Sequence, residues 1–178
     1  TPVASLLGLE TLVLTDNEVA GLSPLAALPA LTTLVVSGNN ISTLAPLTKS
    51  WSLTTLEAAL NDISDVSPLQ HLTNLQSLNL AGNKVAVLSP LAPLTSLAVL
   101  ELHTNEIVDL SPLTGLTGLQ KVILHHNQIT NLPPLLDNPG LGPGDLIDIR
   151  FNPIDCDAQA DNLAALQATG AEVLSDCE

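Results

Sequence analysis

The chain has 178 residues, 46% of them hydrophobic, yet it holds one Trp, one Phe and no Tyr or Met, so its core has to be built from aliphatic side chains. Against 18 Asp+Glu stand four Lys+Arg, a formal charge of −14, which excludes nucleic acid and anionic membrane surfaces as natural partners because both select cationic patches. No apolar run nears the roughly 18 residues of a membrane span, so no membrane insertion is expected.

Taken from the N-terminus, "TPVASLLGL" (1–9) aligns with "SPLAALPAL" (23–31), with Pro2 on Pro24, Val3 on Leu25, Leu6 on Leu28 and Leu9 on Leu31. The chain thus enters in the middle of a repeating unit. A stack of units needs a polar cap at each end, and none is legible here, so the edge from Thr1 to Leu14 is open to end-to-end self-association.

The unit itself follows. L-x-x-L-x-L-x-x-N-x-I starts at Leu9 ("LETLVLTDNEV"), Leu31 ("LTTLVVSGNNI"), Leu53 ("LTTLEAALNDI"), Leu75 ("LQSLNLAGNKV"), Leu97 ("LAVLELHTNEI") and Leu119 ("LQKVILHHNQI"). Asn17, Asn39, Asn61, Asn83, Asn105 and Asn127 are each 22 residues apart, and a weaker copy, "GDLIDIRFNPI", ends on Asn152 after 25. The L-x-L step has period two, a short strand with leucines facing in and the x positions facing out. Stacked copies place about seven such strands side by side in a parallel sheet. The Asn turns the chain, and its amide can satisfy backbone groups of neighbouring turns that would otherwise be buried without partners. That makes the seven asparagines structural.

Between the strands lie "LSPLAALPAL" (22–31), "LAPLTKSWSL" (44–53), "VSPLQHLTNL" (66–75), "LSPLAPLTSL" (88–97) and "LSPLTGLTGL" (110–119). Leucines three apart behind Ser-Pro or Ala-Pro suit a short 3-10 or irregular helical turn, with Pro where a missing N–H costs nothing. In the second of these Ser50 takes the place of Leu28, and Trp51 is expected to fill the gap on the convex side. His71 falls on the convex surface. One unit cannot bury its leucines alone, but a stack shares one core. The fold expected is an α/β repeat solenoid over residues 1–154, with strands lining the concave side.

The 22-residue pattern L-x-x-L-x-L-x-x-N-x-I-x-x-L-S-P-L-x-x-L resembles the leucine-rich repeats of bacterial surface and secreted proteins of the internalin-like type. The resemblance covers residues 1 to about 154. It implies a right-handed horseshoe and, in function, binding of another protein or a surface ligand on the concave face.

Beyond Asn152 the pattern ends. "CDAQADNLAALQATGAEVL" reads as a capping helix over 158–168, with Asp155 or Asp157 near its start and Gly170 at its stop. Ala160, Leu163, Ala164 and Leu166 form its apolar stripe. Cys156 and Cys177, the only two cysteines, flank this helix and are expected to form a disulfide that stabilises the cap (155–178) by ~3 kcal/mol. A disulfide implies an oxidising compartment: secreted, periplasmic or cell surface.

Register predicts which side chains share the concave face. One column holds Val13, Val35, Glu57, Asn79, Glu101, Ile123 and Asp148; two residues later run Thr15, Ser37, Ala59, Ala81, His103, His125 and Arg150; two residues earlier run Thr11, Thr33, Thr55, Ser77, Val99, Lys121 and Leu146. His126 lies at the rim beside Thr104 and Phe151. The first strands are small and apolar, whereas from the fifth onward the face carries Glu101, His103, Lys121, His125, His126, Asp148, Arg150 and Phe151, types suited to recognition.

These residues are the expected ligand-binding set, and no cofactor is implied. Two alternatives are legible. His103 and His125, with Glu101 or Asp148 diagonal to them, offer three N/O ligands for a metal, although no local metal motif accompanies them. The Thr11, Thr33, Thr55 and Ser77 column is a hydroxyl ladder that could order water as an ice-binding surface does. Catalysis is not expected: His125 with Asp148 has the makings of a base and its orienting acid, but no nucleophile sits beside them in register.

Overall fold

The structure, a computed structural model, describes residues 3–177; the alignment of Pro2 and the Thr1 end of the open edge lie outside them. Eight three-residue strands form one parallel sheet in chain order: β1 (Thr11–Val13), β2 (Thr33–Val35), β3 (Thr55–Glu57), β4 (Ser77–Asn79), β5 (Val99–Glu101), β6 (Lys121–Ile123), β7 (Leu146–Asp148) and β8 (Glu172–Leu174). Equivalent positions of successive copies pair directly, as in Thr11↔Thr33 and Leu56↔Leu78, so the 22-residue period is the sheet register itself.

Seven strands are legible in the repeats and eight form. The eighth lies in the cap, where "EVL" after Gly170 pairs with β7 through Leu146↔Glu172 and Asp148↔Leu174. It has no L-x-x-L-x-L-x-x-N signature of its own, and it covers the edge that β7 would otherwise expose.

Behind the sheet, 3-10 turns span Val3–Ser5, Ser23–Leu25, Ala45–Leu47, Ser67–Leu69, Ser89–Leu91 and Ser111–Leu113. All but the first carry Pro in their opening positions, where no N–H is required. The first keeps the bond its alignment implies, Leu6 N–H to the Val3 carbonyl as Leu28 N–H to that of Leu25, but Leu6, aligned with buried Leu28, is 50% exposed. The three residues inserted after Asn127 are absorbed by a single α-turn, α1 (Pro133–Leu136), and by Asn138, which is buried and donates to the carbonyls of Leu113 (2.8 Å) and Leu116 (3.1 Å). At Gly140 a Cβ would lie 2.1 Å from the Thr117 carbonyl oxygen, so the backbones approach there as only Gly permits.

Between sheet and turns runs one aliphatic core. A single layer, Leu53, Leu56, Ile63, Leu69 and Leu72, is fully removed from water, each side chain contributing about 1.5–3 kcal/mol by burial. The asparagines stitch the layers. Asn83 donates to the carbonyls of Ala58 and Leu80, both at 3.0 Å, and its Oδ1 accepts the Ile63 N–H at 2.9 Å. Asn39, Asn61, Asn105 and Asn127 repeat this pattern, and Asn152 extends it to the last turn, accepting the Ile129 N–H.

The residue before each of the seven repeat asparagines, Asn17 included, is left-handed: Asp16 (φ 54°), Gly38 (67°), Leu60 (53°), Gly82 (63°), Thr104 (57°), His126 (56°) and Phe151 (54°). This bend turns each strand towards its Asn. Only two of the seven are Gly, so composition does not advertise it.

Two packing expectations fail. Trp51 does not fill the gap left by Ser50; it is 60% exposed, and Ser50 itself takes the interior place, because its N–H stays bonded to the Leu47 carbonyl (2.9 Å) and turns the next residue outward. In the cap, the helix α2 spans Ala160–Ala168 rather than starting at 158, since Ala158 and Gln159 belong to a turn in which Asp155 Oδ1 accepts the Ala158 N–H at 3.1 Å. Of the expected stripe Leu163 and Leu166 are buried against α1, while Ala160 and Ala164 face water. Gly170 (φ 92°) ends the helix. Cys156 and Cys177 form the disulfide, 21 residues apart in sequence, a loop for which closure entropy gives ~3 kcal/mol.

Candidate ligand-binding face

The outward column Glu57, Asn79, Glu101, Ile123 and Asp148 is set by direct strand pairing, and the flanking columns follow from it. Glu101 is the centre of its half: Oε1 accepts from Lys121 Nζ at 2.6 Å and Oε2 from Asn79 Nδ2 at 2.9 Å. With 21% of its side chain exposed, Glu101 ties three strands together and still meets solvent.

Asp148 differs from the open carboxylate that its column suggests. Its side chain is 5% exposed, held between Ile123 and Leu174 in register. Arg150 grips it in a fork, Nε to Oδ1 at 2.9 Å and Nη2 to Oδ2 at 2.6 Å. Burial by itself would push this carboxyl up, but the hydrogen bonds and charge of Arg150 outweigh it and hold the group below its ordinary value. Asp148 thus orients Arg150, whose outer side remains open.

Four rings run across the rim. His103 and His125 stack at 4.4 Å between centroids and 14° between planes; His125 meets His126 edge-on, with Nδ1 to Nδ1 at 2.9 Å, so that one nitrogen donates and the other accepts; His126 then lies 4.4 Å from Phe151. The first pair sits in one strand column, the second in the left-handed column. The two columns join only because His125 and His126 are consecutive. Phe151, 57% exposed, has its N–H bonded to the Asp176 carboxylate beyond β8, which fixes the end of the ladder. Burial, and then the neighbouring His103 charge, push His125 below the ordinary imidazole value, favouring the neutral ring.

This geometry turns faces, rather than nitrogen lone pairs, between His103 and His125, which is wrong for a shared ion. Among the described residues no group of three His, Cys, Asp or Glu is placed to hold a metal. The carboxylate of Asp148 is engaged by Arg150 rather than aimed as a base's partner. Thr11, Thr33, Thr55 and Ser77 are register neighbours from strand to strand, and the run stops at Val99. Sequence reasoning missed Asn79 as a partner of Glu101 and Asp176 as the anchor of Phe151; the first was visible in the column, the second carried no signal.

Stacked 22-residue copies with a parallel sheet on one side and Pro-started 3-10 turns on the other define a leucine-rich repeat solenoid. The family model "Leucine Rich repeats (2 copies)" matches residues 8–49, 51–94 and 73–115, and the chain belongs to this family; its repeats are of the bacterial internalin type. It is similar to the crystal structure of an internalin C2 from Listeria monocytogenes, at 30% identity and a TM-score of 0.85 over 97% of this chain and 74% of that one. An internalin F of the same organism gives 28% identity and a TM-score of 0.88 over 98% and 49%. A leucine-rich repeat protein of Leptospira interrogans shares the fold at 23% identity, TM-score 0.74, over 96% and 50%. The chain therefore spans three quarters of the first of these structures and about half of the other two. No curated protein sequence matches it.

Proposed function

We propose that the protein is a non-enzymatic binding module that recognises a protein or surface ligand with its concave face, weighted to β5–β7. The fold is one that commonly mediates protein binding. The observation that carries the reading is the ladder His103, His125, His126 and Phe151, an open row of rings flanked by the charged groups of Glu101, Lys121 and Arg150. Rigid rings and an oriented guanidinium give contact area at small entropic cost, and Asp148 contributes by holding Arg150. The disulfide suits an oxidising compartment, which supports a secreted, periplasmic or cell-surface location.

The test is ligand capture by the parent compared with Phe151→Ala and His126→Ala, with Val35→Ala on the apolar half as control. A ligand retained by the parent and the control but lost from the two variants supports the reading. Equal capture by all four would remove the site from β5–β7. A second contact, end to end between copies, is supported by the exposed Leu6 and Leu7 beside β1; a sedimentation coefficient that stays constant with concentration would dismiss it.

A further inference from the structure

Where the leucine period slips, a hollow of about 220 Å³ opens on the convex side, bounded by Ala27, Leu28, Pro29, Lys49, Trp51 and Ser52. Its walls are fixed across three copies: the Ser52 hydroxyl donates to the Pro29 carbonyl at 2.7 Å, and the Asn74 amide donates to the Trp51 carbonyl at 2.8 Å. Trp51 is the single Trp of the chain and stands 60% exposed beside an apolar floor, although outward solvation is an unfavourable place for so large a ring.

Lys49 is the second peculiarity. Of the four Lys and Arg residues, Lys84 is paired with Asp62, Lys121 with Glu101 and Arg150 with Asp148. Among the described residues Lys49 alone has no ion-pair partner, in a chain with 18 acidic residues from which to draw one. Among the described residues, the one Lys or Arg side chain without an ion-pair partner thus borders an apolar hollow with an exposed indole.

We infer that this hollow is a second binding site, distinct from the concave face, and that it takes the C-terminal end of a peptide whose last residue is aliphatic. A space of this size is below the usual range for a whole small-molecule ligand and suits one side chain. Leu28, Pro29 and the Trp51 ring face that side chain, and the Lys49 ammonium meets the terminal carboxylate. The lining of the hollow holds no acidic side chain, so the Lys49 charge is the local one that a carboxylate meets, against the chain's overall −14.

Trp51 reports on its own occupancy, because no other Trp or Tyr contributes to emission. The intact chain is titrated with acetyl-Gly-Gly-Leu bearing a free carboxylate, with its C-terminal amide, and with hexanoate. A saturable change in Trp51 emission with the free peptide, weakened about fivefold by amidation and by Lys49→Ala, is the expected result. No saturation, equal affinity for the amide, or an unaltered Lys49→Ala variant overturns the site. Hexanoate binding as tightly as the peptide overturns the peptide as its occupant. Lys49 is exposed and makes no structural pair, so its substitution leaves the fold in place; Ser52→Ala, which frees the Pro29 carbonyl, weakens peptide binding by loosening the wall.

Discussion

The imidazoles of His103 and His125 lie one repeat apart in the chain and stack face to face at 4.4 Å. Parallel packing at equal register makes such a contact unavoidable once both copies carry His at the same position. It also adds the charge of His103 to the burial that disfavours a proton on His125. His125 faces His103, His126, Asp148 and Arg150, and its folded value lies below the ordinary 6.5.

The sign of the pH dependence follows. Below about pH 6.5 the unfolded chain takes up a proton at His125 before the folded chain does, so stability falls as pH drops through that window. Urea denaturation midpoints are expected to fall between about pH 7.5 and 5.5, above the carboxylate range, and His125→Gln is expected to flatten the fall. An unchanged slope in the variant would show that the stacked pair does not govern it.

Asn83 and Asn17 occupy the same place in the repeat and differ in what surrounds them. Asn83 is buried and bonded to two turns, whereas Asn17 is exposed and donates within its own turn to Leu14 and Thr15. Asn83→Ala leaves the Ile63 N–H buried without a partner and removes one of the two side-chain donors, Asn83 and Asn61, that meet the Ala58 carbonyl, a loss of roughly 2 kcal/mol. Asn17→Ala costs at most about 1 kcal/mol, since water replaces its bonds. Chemical denaturation of the two variants checks the ordering.

The sheet was legible because its register is a sequence period: residues 22 apart are neighbours, and Thr33 could be placed beside Thr11 and Thr55 without any knowledge of three-dimensional structure. The same arithmetic put His103 beside His125. What it could not supply were contacts off the period. Strand β8 and Asp176 lie in the cap and have no repeat to be read against. The burial of Asp148 depends on that eighth strand, so an open carboxylate was the natural expectation from its column. Trp51 was misplaced because volume matching suggested a filler for the missing Leu, whereas the backbone bonds of the turn decide which residue points inward, and they choose Ser50.

Leu60 is the sharpest conflict between residue and backbone. It holds φ 53° at a position where Gly38 and Gly82 stand in the adjacent copies, and it is 66% exposed. A γ-branched side chain pays about 1 kcal/mol for this conformation, which Asn tolerates. Leu60→Asn is therefore expected to raise stability by about 1 kcal/mol while shrinking the exposed apolar surface, with no change in the sheet. A lower thermal midpoint would mean that the packing of Leu60 over Gly82 outweighs the backbone strain.

Arg150 and Asp148 separate a structural ion pair from an ornamental one. Lys84 and Asp62 also meet at 2.6 Å, but their side chains are 59% and 54% exposed, so Lys84→Ala leaves Asp62 to water and the denaturation midpoint within error of the parent. Arg150→Ala instead strands a nearly buried carboxylate, and the midpoint at neutral pH drops clearly. With the fork gone, burial is opposed only by the backbone N–H of residue 150 and the His125 charge, so the Asp148 carboxyl rises relative to its lowered place in the parent. The folded variant then takes up a proton at higher pH than the folded parent does, so its deficit relative to the parent shrinks as pH falls from about 7 to about 4. Adding Asp148→Asn to Arg150→Ala removes the stranded charge and recovers much of the loss at pH 7. If the deficit is the same at both pH values and the double variant recovers nothing, Arg150 acts through packing of its stem rather than by neutralising Asp148.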